Sequence, residues 1–341
     1  MIFNPSRLIR IQPLKFRRWS SSSSARPKQY GFIGLGQMGY NMAKTLQSRL
    51  PDSDSLRVFD INIATAQQLK KESEVMGGAM VTIASNARDA AEDSEITITV
   101  LPECRHVKNV FNQVLCPLLS TDIVSNKDRL FIDCSTIAPT SSKEIADLVR
   151  ATHQSQFVDA PMSGGVVGAS SGTLTFMLGS PDHLVSRIER VLLMMGKRVF
   201  HCGPQGLGLA GKLANNYLLA INNIATAEAM NLGIRWGLGS KLLSSLINNS
   251  TGKCWSSEMN NPVSGVDINS PASRDYAGGF GISLMMKDLN LAINGAREVN
   301  ASLELGDRAQ EVYEAANRQD NCKGKDFSVI YRYLSGSGSD R

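Results

Sequence analysis

A chain of 341 residues, 42% of them hydrophobic and 20% charged, is long enough for two domains that each bury a core, and its composition excludes a disordered or collagen-like protein. No uninterrupted apolar run reaches the roughly 18 residues of a membrane-spanning helix, so no membrane partner is expected. The formal net charge of +5 sits at one end: residues 1–29 carry seven bases and no acid, leaving −2 for the remainder. A slightly acidic body argues against a nucleic-acid partner.

In the leader, Arg7, Arg10, Lys15, Arg17, Arg18, Arg26 and Lys28 are interspersed with Leu8, Ile9, Ile11, Leu14, Phe16 and Trp19, and residues 20–24 are all serine. Such an Arg-rich, acid-free segment reads as a mitochondrial transit peptide over 1–29, with the matrix as its address. A disordered basic arm is the alternative. From residue 30 to about 200, short apolar runs alternate with helical stretches, which signals a parallel sheet with crossover helices. Strands are predicted over 31–33, 56–59, 96–100 and 130–132, and shorter ones over 156–158, 174–178 and 199–200; the first strand is followed by an amphipathic helix over 38–50.

Beyond residue 202 the pattern is helical. Residues 210–233 contain no proline and repeat Leu213, Tyr217, Ala220 and Ile224 on one face, which predicts a single helix of about 25 residues bridging two domains. Further helices are predicted over 240–247, 284–299 and 305–318, and a frayed Gly/Ser-rich tail over 335–341. The expected organisation is a dinucleotide-binding domain over 30–203 and an all-α domain over 204–334 that includes the long helix. Cys104, Cys116, Cys134, Cys202, Cys254 and Cys322 are scattered without a C-x-x-C pair, so neither a zinc site nor a disulfide framework is suggested. They read as small core residues in a reducing compartment. His106, His153, His183 and His201 stand alone.

Gly34-Leu35-Gly36-Gln37-Met38-Gly39 matches G-x-G-x-x-G between a predicted strand and a predicted helix, and Asp60 ends the next strand 26 residues after Gly34. That context reads as a dinucleotide fingerprint: Gly34 for the tight turn, Gly36 for close approach of pyrophosphate, Gly39 for packing of helix on strand. Asp60 would bond the adenosine ribose hydroxyls and repel a 2′-phosphate. No arginine or lysine lies between Ile61 and Leu69, so the expected cofactor is NAD. A second literal match, Gly206-Leu207-Gly208-Leu209-Ala210-Gly211, runs into uninterrupted helix with no following acid-bearing strand, and reads instead as a close-approach turn that starts the long helix.

A dinucleotide domain needs a partner group for the hydride-accepting or hydride-donating carbon, usually an acid/base that handles the hydroxyl proton. Lys212, at the start of the long helix among Leu209, Ala210, Leu213 and Ala214, is the candidate, because apolar surroundings lower the pKa of an ammonium; a solvated surface lysine is the bland alternative. Asn216 lies on the same face, to orient substrate oxygen or to hold the lysine. Asp159-Ala160-Pro161-Met162-Ser163-Gly164-Gly165 reads either as a backbone nest for a carboxylate or as an ordinary turn. Residues 280–289 contain Lys287-Asp288, which spacing alone leaves as a helix start with a surface pair.

Five blocks, residues 30–46, 131–139 (FIDCSTIAP), 158–165 (VDAPMSGG), 206–216 (GLGLAGKLANN) and 280–291 (FGISLMMKDLNL), together resemble the β-hydroxyacid dehydrogenases, in that family's order and across essentially everything after the leader. Ser250 to Ser257, including Trp255, with Asn261-Pro262-Val263, look like the mitochondrial branch that acts on 3-hydroxyisobutyrate. The resemblance implies an α/β Rossmann dinucleotide-binding domain joined by a long interdomain helix to an all-α domain, with the active site in the cleft and a dimer or tetramer as the assembly. It implies NAD-dependent oxidation of a short 3-hydroxy acid to its semialdehyde, with (S)-3-hydroxyisobutyrate of valine breakdown as the expected substrate. Lys212 and Asn216 would be the catalytic pair. Ser163, Gly164, Gly165, Trp255 and Lys287 would meet substrate, and Lys287 would also approach the nicotinamide. Leu101, Pro102 and Thr136 fall on cofactor-contacting positions. His106 stands where members often carry asparagine near the cofactor. Alternatives are 4-hydroxybutyrate or tartronate semialdehyde as substrate, or a non-catalytic dinucleotide-binding scaffold, against which the presence of Lys212 speaks.

Overall fold

A computed structural model of the chain describes residues 27–115, 129–152 and 155–335. The predicted leader up to residue 26, the predicted tail beyond Ser335, Cys116 and His153 lie outside the described residues. The elements follow one another as β1 (Gln29–Ile33), α1 (Gln37–Arg49), β2 (Ser55–Phe59), α2 (Ile63–Met76), β3 (Met80–Ile83), α3 (Ala87–Ala91), β4 (Ile96–Thr99), α4 (Cys104–Val114), β5 (Arg129–Asp133), α5 (Pro139–Ala151), β6 (Ser155–Asp159), β7 (Met162–Ser163), α6 (Gly165–Ser171), β8 (Leu174–Gly179), α7 (Asp182–Leu192) and β9 (Gly196–Gly203). Helices then take over: α8 (Leu207–Arg235), α9 (Ser240–Asn248), α10 (Trp255–Glu258), α11 (Ile282–Glu298), α12 (Gly306–Asn317) and α13 (Ile330–Ser335), with 3-10 turns at Pro271–Arg274 and Phe327–Val329.

The strands lie in the order β3-β2-β1-β4-β5-β6-β8-β7, with β9 on β8. β1 to β6 are parallel, β8 runs antiparallel to β6 and β7, and β9 is parallel to β8. Strands buried on both faces read as continuous apolar or β-branched runs, and Ile96-Thr97-Ile98-Thr99 is buried at every position. One face packs Phe32, Leu56, Val58, Ile98 and Ile132 against Met42, Leu46 and Leu69 of α1 and α2. On the other face Phe111 meets Phe131 and Phe157 edge to face, at centroid distances of 5.2 and 5.0 Å.

α8 joins this sheet to the helical part. At 1.5 Å per residue its 29 residues span about 43 Å. Leu209 at its start belongs to the Phe111–Phe131–Phe157 core, whereas Ala220 and Ala227 belong to a separate core with Met285, Leu289, Tyr313 and Phe327. The helical core has a polar keystone. Asn223 Nδ2 donates to Tyr313 Oη (2.9 Å) and to the Phe327 carbonyl (3.0 Å), and Tyr313 Oη donates to the Ala220 carbonyl (3.1 Å).

Three differences from the sequence reading have physical causes. The edge strand β3 is absent from that reading: its four residues, Met-Val-Thr-Ile, are only partly buried, so no clear apolar period announces them. β9, expected over two residues, extends over eight: pairing with β8 defines it, and because most of its side chains stay accessible no apolar run announces it. β1 begins at Gln29, one residue inside the predicted leader.

Candidate active site

The fingerprint glycines lie at the carboxyl edge of the sheet, where β1 and β4 are neighbours and their connections diverge to opposite sides, the usual position for a dinucleotide. Gly34 has φ +97°, and a Cβ there would sit 2.3 Å from the Val100 carbonyl oxygen; a Cβ on Gly39 would sit 2.0 Å from that of Gly34. Only hydrogen fits at either. Gly36 is the reverse case: nothing lies within 4 Å of where its Cβ would be, so the backbone is open to an incoming group. No side chain caps α1, which leaves first-turn N–H groups, those of Gln37 and Met38 among them, for an anion. Asp60 Oδ2 accepts the Leu35 N–H (2.6 Å) and Oδ1 that of Asn62 (2.7 Å). The carboxylate therefore braces the glycine turn, and each oxygen keeps a lone pair for a hydroxyl.

Across the switch point, the Leu101 N–H donates to Ser135 Oγ (2.9 Å), and Ser135 donates in turn to Asp133 Oδ1 (2.6 Å), which also accepts Thr99 Oγ1 (2.8 Å). Burial pushes the Asp133 carboxyl up to about 6. Asp133 thus organises the two loops that carry Leu101 and Thr136. Pro102 is exposed beside them. His106, in the first turn of α4, has a buried Nδ1 without a hydrogen-bond partner among the described residues.

The two lysines come together from helices whose positions 212 and 287 are 75 residues apart in the chain. Lys212, on α8, is only 8% exposed, and no hydrogen bond or ion pair joins its ammonium to another described residue. Burial lowers its pKa below that of a free lysine; Asp288 opposes the shift and Lys287 adds to it. Of its expected apolar surround, Leu209 and Leu213 are buried but Ala214 is exposed, because position 214 falls on the outer face of α8. Lys287, on α11, donates to the Thr136 carbonyl (2.6 Å) and lies 3.2 Å from Asp288 Oδ1. It therefore ties the helical part to the loop after β5. Asn216 Nδ2 donates to Asp288 Oδ2 (2.7 Å), so the amide holds the aspartate and not the lysine.

Asp288 corrects the reading of a surface pair: it is 3% exposed and links Asn216, Lys287 and, electrostatically, Lys212. Its signal was present in the sequence. It falls three residues after Met285 and one before Leu289, on the buried face of α11.

Ser163 ends β7, opposite Thr175 of β8. Gly164 (φ +131°) and Gly165 (φ +62°) follow with positive φ, both exposed, and no side chain caps the helix they open. Two successive positive-φ glycines ahead of an uncapped helix are a backbone shape compatible with a nest for an anion, while Ser163 is held in the β7–β8 ladder and the Gly164 carbonyl accepts the Gly168 N–H (3.0 Å). Trp255 is not brought to these groups within the chain. It is 52% exposed on α10, whose preceding residue Cys254 contacts Thr226 of α8 (3.4 Å), about 21 Å along the helix from Lys212. The second glycine match also has its explanation: the N–H groups of Gly206 and Leu209 both bond the buried Asp159 carboxylate (2.6 and 2.9 Å).

A dinucleotide-binding edge beside a buried lysine and a half-buried one, with a long helix connecting sheet to bundle, is the arrangement of a dinucleotide-dependent dehydrogenase. Comparison with known proteins agrees. Residues 29–203 match the family model described as the NAD binding domain of 6-phosphogluconate dehydrogenase, and residues 206–334 the one described as NAD-binding of NADP-dependent 3-hydroxyisobutyrate dehydrogenase. Mitochondrial 3-hydroxyisobutyrate dehydrogenase of Drosophila melanogaster is 39% identical over 94% of this chain and 95% of that protein. The Rattus norvegicus enzyme of the same name is 41% identical over 92% and 89%. The structure of Mycobacterium tuberculosis 3-hydroxyisobutyrate dehydrogenase with L-serine superposes with a TM-score of 0.79 at 34% identity, covering 91% of this chain and all of that one. The chain belongs to the β-hydroxyacid dehydrogenase family, and its relatives there are the 3-hydroxyisobutyrate dehydrogenases.

Proposed function

We propose that this dehydrogenase oxidises (S)-3-hydroxyisobutyrate to methylmalonate semialdehyde with NAD, in valine breakdown, and that Lys212 is its acid/base. The observation that carries the reading is the buried, unpaired Lys212 ammonium, held among Leu209, Leu213 and the Asn216–Asp288–Lys287 chain that reaches Thr136. The bound nicotinamide would supply the hydride acceptor. On the protein side, neutral Lys212 Nζ takes the hydroxyl proton from the substrate, and its ammonium returns it in the reductive direction. Ser163, Gly164 and Gly165 receive the substrate carboxylate in their backbone concavity. Lys287, anchored on Thr136, closes the site from the helical side.

Asp60 supports NAD over NADP: its carboxylate, fixed by the Leu35 and Asn62 N–H groups, keeps a lone pair on each oxygen for a ribose hydroxyl and would repel a 2′-phosphate, and residues 61–69 offer no cation for one. The NADP wording attached to the model for residues 206–334 concerns the helical part, which does not contain Asp60. The basic leader, together with the mitochondrial names of the relatives, supports placement in the mitochondrial matrix. Leu232, Leu242, Leu246 and Trp255 on α8 to α10, and Trp236 and Met259 at the ends of α8 and α10, are exposed apolar side chains, which supports a homodimer or tetramer.

Purified protein assayed against (S)-3-hydroxyisobutyrate, 4-hydroxybutyrate and tartronate semialdehyde, each with NAD and NADP in the appropriate redox state, tests the reading. The expected result is the highest kcat/KM for (S)-3-hydroxyisobutyrate, with NAD preferred at least about tenfold, a contact worth about 1.4 kcal/mol or more. A higher value for another substrate reassigns the pocket, equal use of both cofactors removes the role given to Asp60, and cofactor binding without turnover of any substrate leaves a scaffold.

A further inference from the structure

Asp159 is fully buried at the end of β6, and neither the fingerprint nor the lysine cluster includes it. Both its carboxylate oxygens are used on one object, the first turn of α8: Oδ1 accepts the Gly206 N–H at 2.6 Å and Oδ2 that of Leu209 at 2.9 Å. Leu209 precedes Lys212 by three residues, a single helical turn. The neighbourhood is cut to this contact. A Cβ on Gly208 would lie 2.8 Å from Asp159 Oδ2 and 2.2 Å from the Met177 carbonyl oxygen, and one on Gly179 would lie 2.3 Å from Asp159 Oδ1. The same aspartate begins the segment that reaches Ser163, Gly164 and Gly165 four to six residues later. One side chain therefore ties the segment assigned to the substrate carboxylate to the helix that carries the assigned acid/base.

We propose that Asp159 is a positioning residue for the reaction, a pin that sets the placement of Lys212 against the Ser163–Gly165 backbone without touching substrate or cofactor. The proposal rests on the assignment of Lys212 made above. Displacement of an acid/base by about 1 Å is enough to cost on the order of 100-fold in rate, and a neutral amide at position 159 could accept only one of the two N–H bonds while directing its own NH2 at the other.

The experiment is steady-state kinetics and NAD titration by fluorescence on full-length Asp159→Asn, Gly208→Ala, Lys212→Ala and the double variant Lys212→Ala/Asp159→Asn. Asp159→Asn should lower kcat by about 10- to 100-fold with the NAD Kd within about twofold of the original. Gly208→Ala, whose Cβ would meet both the Met177 carbonyl (2.2 Å) and Asp159 Oδ2 (2.8 Å), displaces the same turn and should show the same fall in kcat at unchanged NAD Kd; a normal kcat in it overturns the proposal even if Asp159→Asn is insoluble. The double variant should be no slower than Lys212→Ala, because a residue that acts only through the lysine has nothing left to position. Near-normal kcat in soluble Asp159→Asn beside an inactive Lys212→Ala overturns the pin and spares the acid/base assignment. Near-normal turnover of Lys212→Ala overturns both. Multiplicative losses in the double variant, or NAD binding lost in parallel with kcat, make Asp159 a structural residue and overturn the proposal.

Discussion

A lysine becomes useful as a base at working pH only if its ammonium is destabilised, and Lys212 meets that condition by burial, with the nearby charge of Lys287 adding to the effect and that of Asp288 limiting it. The folded pKa lies below the ordinary 10.5, so the neutral amine appears at a lower pH than in an exposed lysine. Oxidation should accordingly rise with pH through a limb below 10.5 that disappears in Lys212→Ala. That variant should lose about 10² to 10⁴ in kcat, the usual worth of such a group. Lys212→Arg should fail too, since guanidinium keeps its proton. The same shift carries a stability consequence: between the folded and unfolded pKa values the unfolded chain binds the extra proton, so this site favours the folded state increasingly as pH rises through that window. Retention of the alkaline limb in an active Lys212→Ala enzyme would transfer the proton-handling role elsewhere, with Lys287 the first to test.

At the scale of an element, the glycine turn shows how a helix is set against a strand by the absence of side chains. α1 can approach β1 only because Gly39 has no Cβ to meet the Gly34 carbonyl oxygen 2.0 Å away. Gly39→Ala should therefore push α1 outward and misplace the first-turn N–H groups that would hold pyrophosphate. The expected outcome is an NAD Kd raised at least about tenfold with helix content by circular dichroism unchanged, a loss of about 1.4 kcal/mol in binding. An unaltered NAD Kd would mean that the turn accommodates the methyl group. The literal pattern was legible in the sequence twice, and the middle glycines of its two copies do different work: opposite Gly36 there is open space, opposite Gly208 a buried carboxylate and a strand carbonyl. A spacing rule sees glycines but not what stands opposite them.

For the whole molecule, the targeting role proposed for the basic leader predicts that it is separable. Among the described residues the sheet is entered at Lys28, whose N–H donates to Asp54 (3.0 Å) and whose ammonium reaches Glu95 (3.2 Å), and at Gln29, which opens β1. Removing residues 1–26 should leave kcat/KM and NAD affinity within about twofold, as measured on the truncated protein, while abolishing mitochondrial import of a reporter fusion. Loss of NAD binding on truncation would assign the leader to the fold.

The parallel sheet, the long helix, the fingerprint and the candidacy of Lys212 were readable from residues alone, because each depends on local periodicity or on a short spacing that the backbone repeats wherever it occurs. Residues 210–233 announce a helix by their own pattern, and Lys212 stands out by its immediate neighbours. What lay beyond reach was set by contacts between segments far apart in the chain. Asp288 meets Asn216 across 72 residues, Lys287 meets Thr136 across 151, and Asp159 meets Leu209 across 50. Burial of a charge, the partner that offsets it and the distance between two functional groups are properties of the packed molecule. The sequence therefore nominated the candidate residues, because their types and spacings are local, and the tertiary structure alone decided which carboxylates meet Asn216, Lys287 and the first turn of α8.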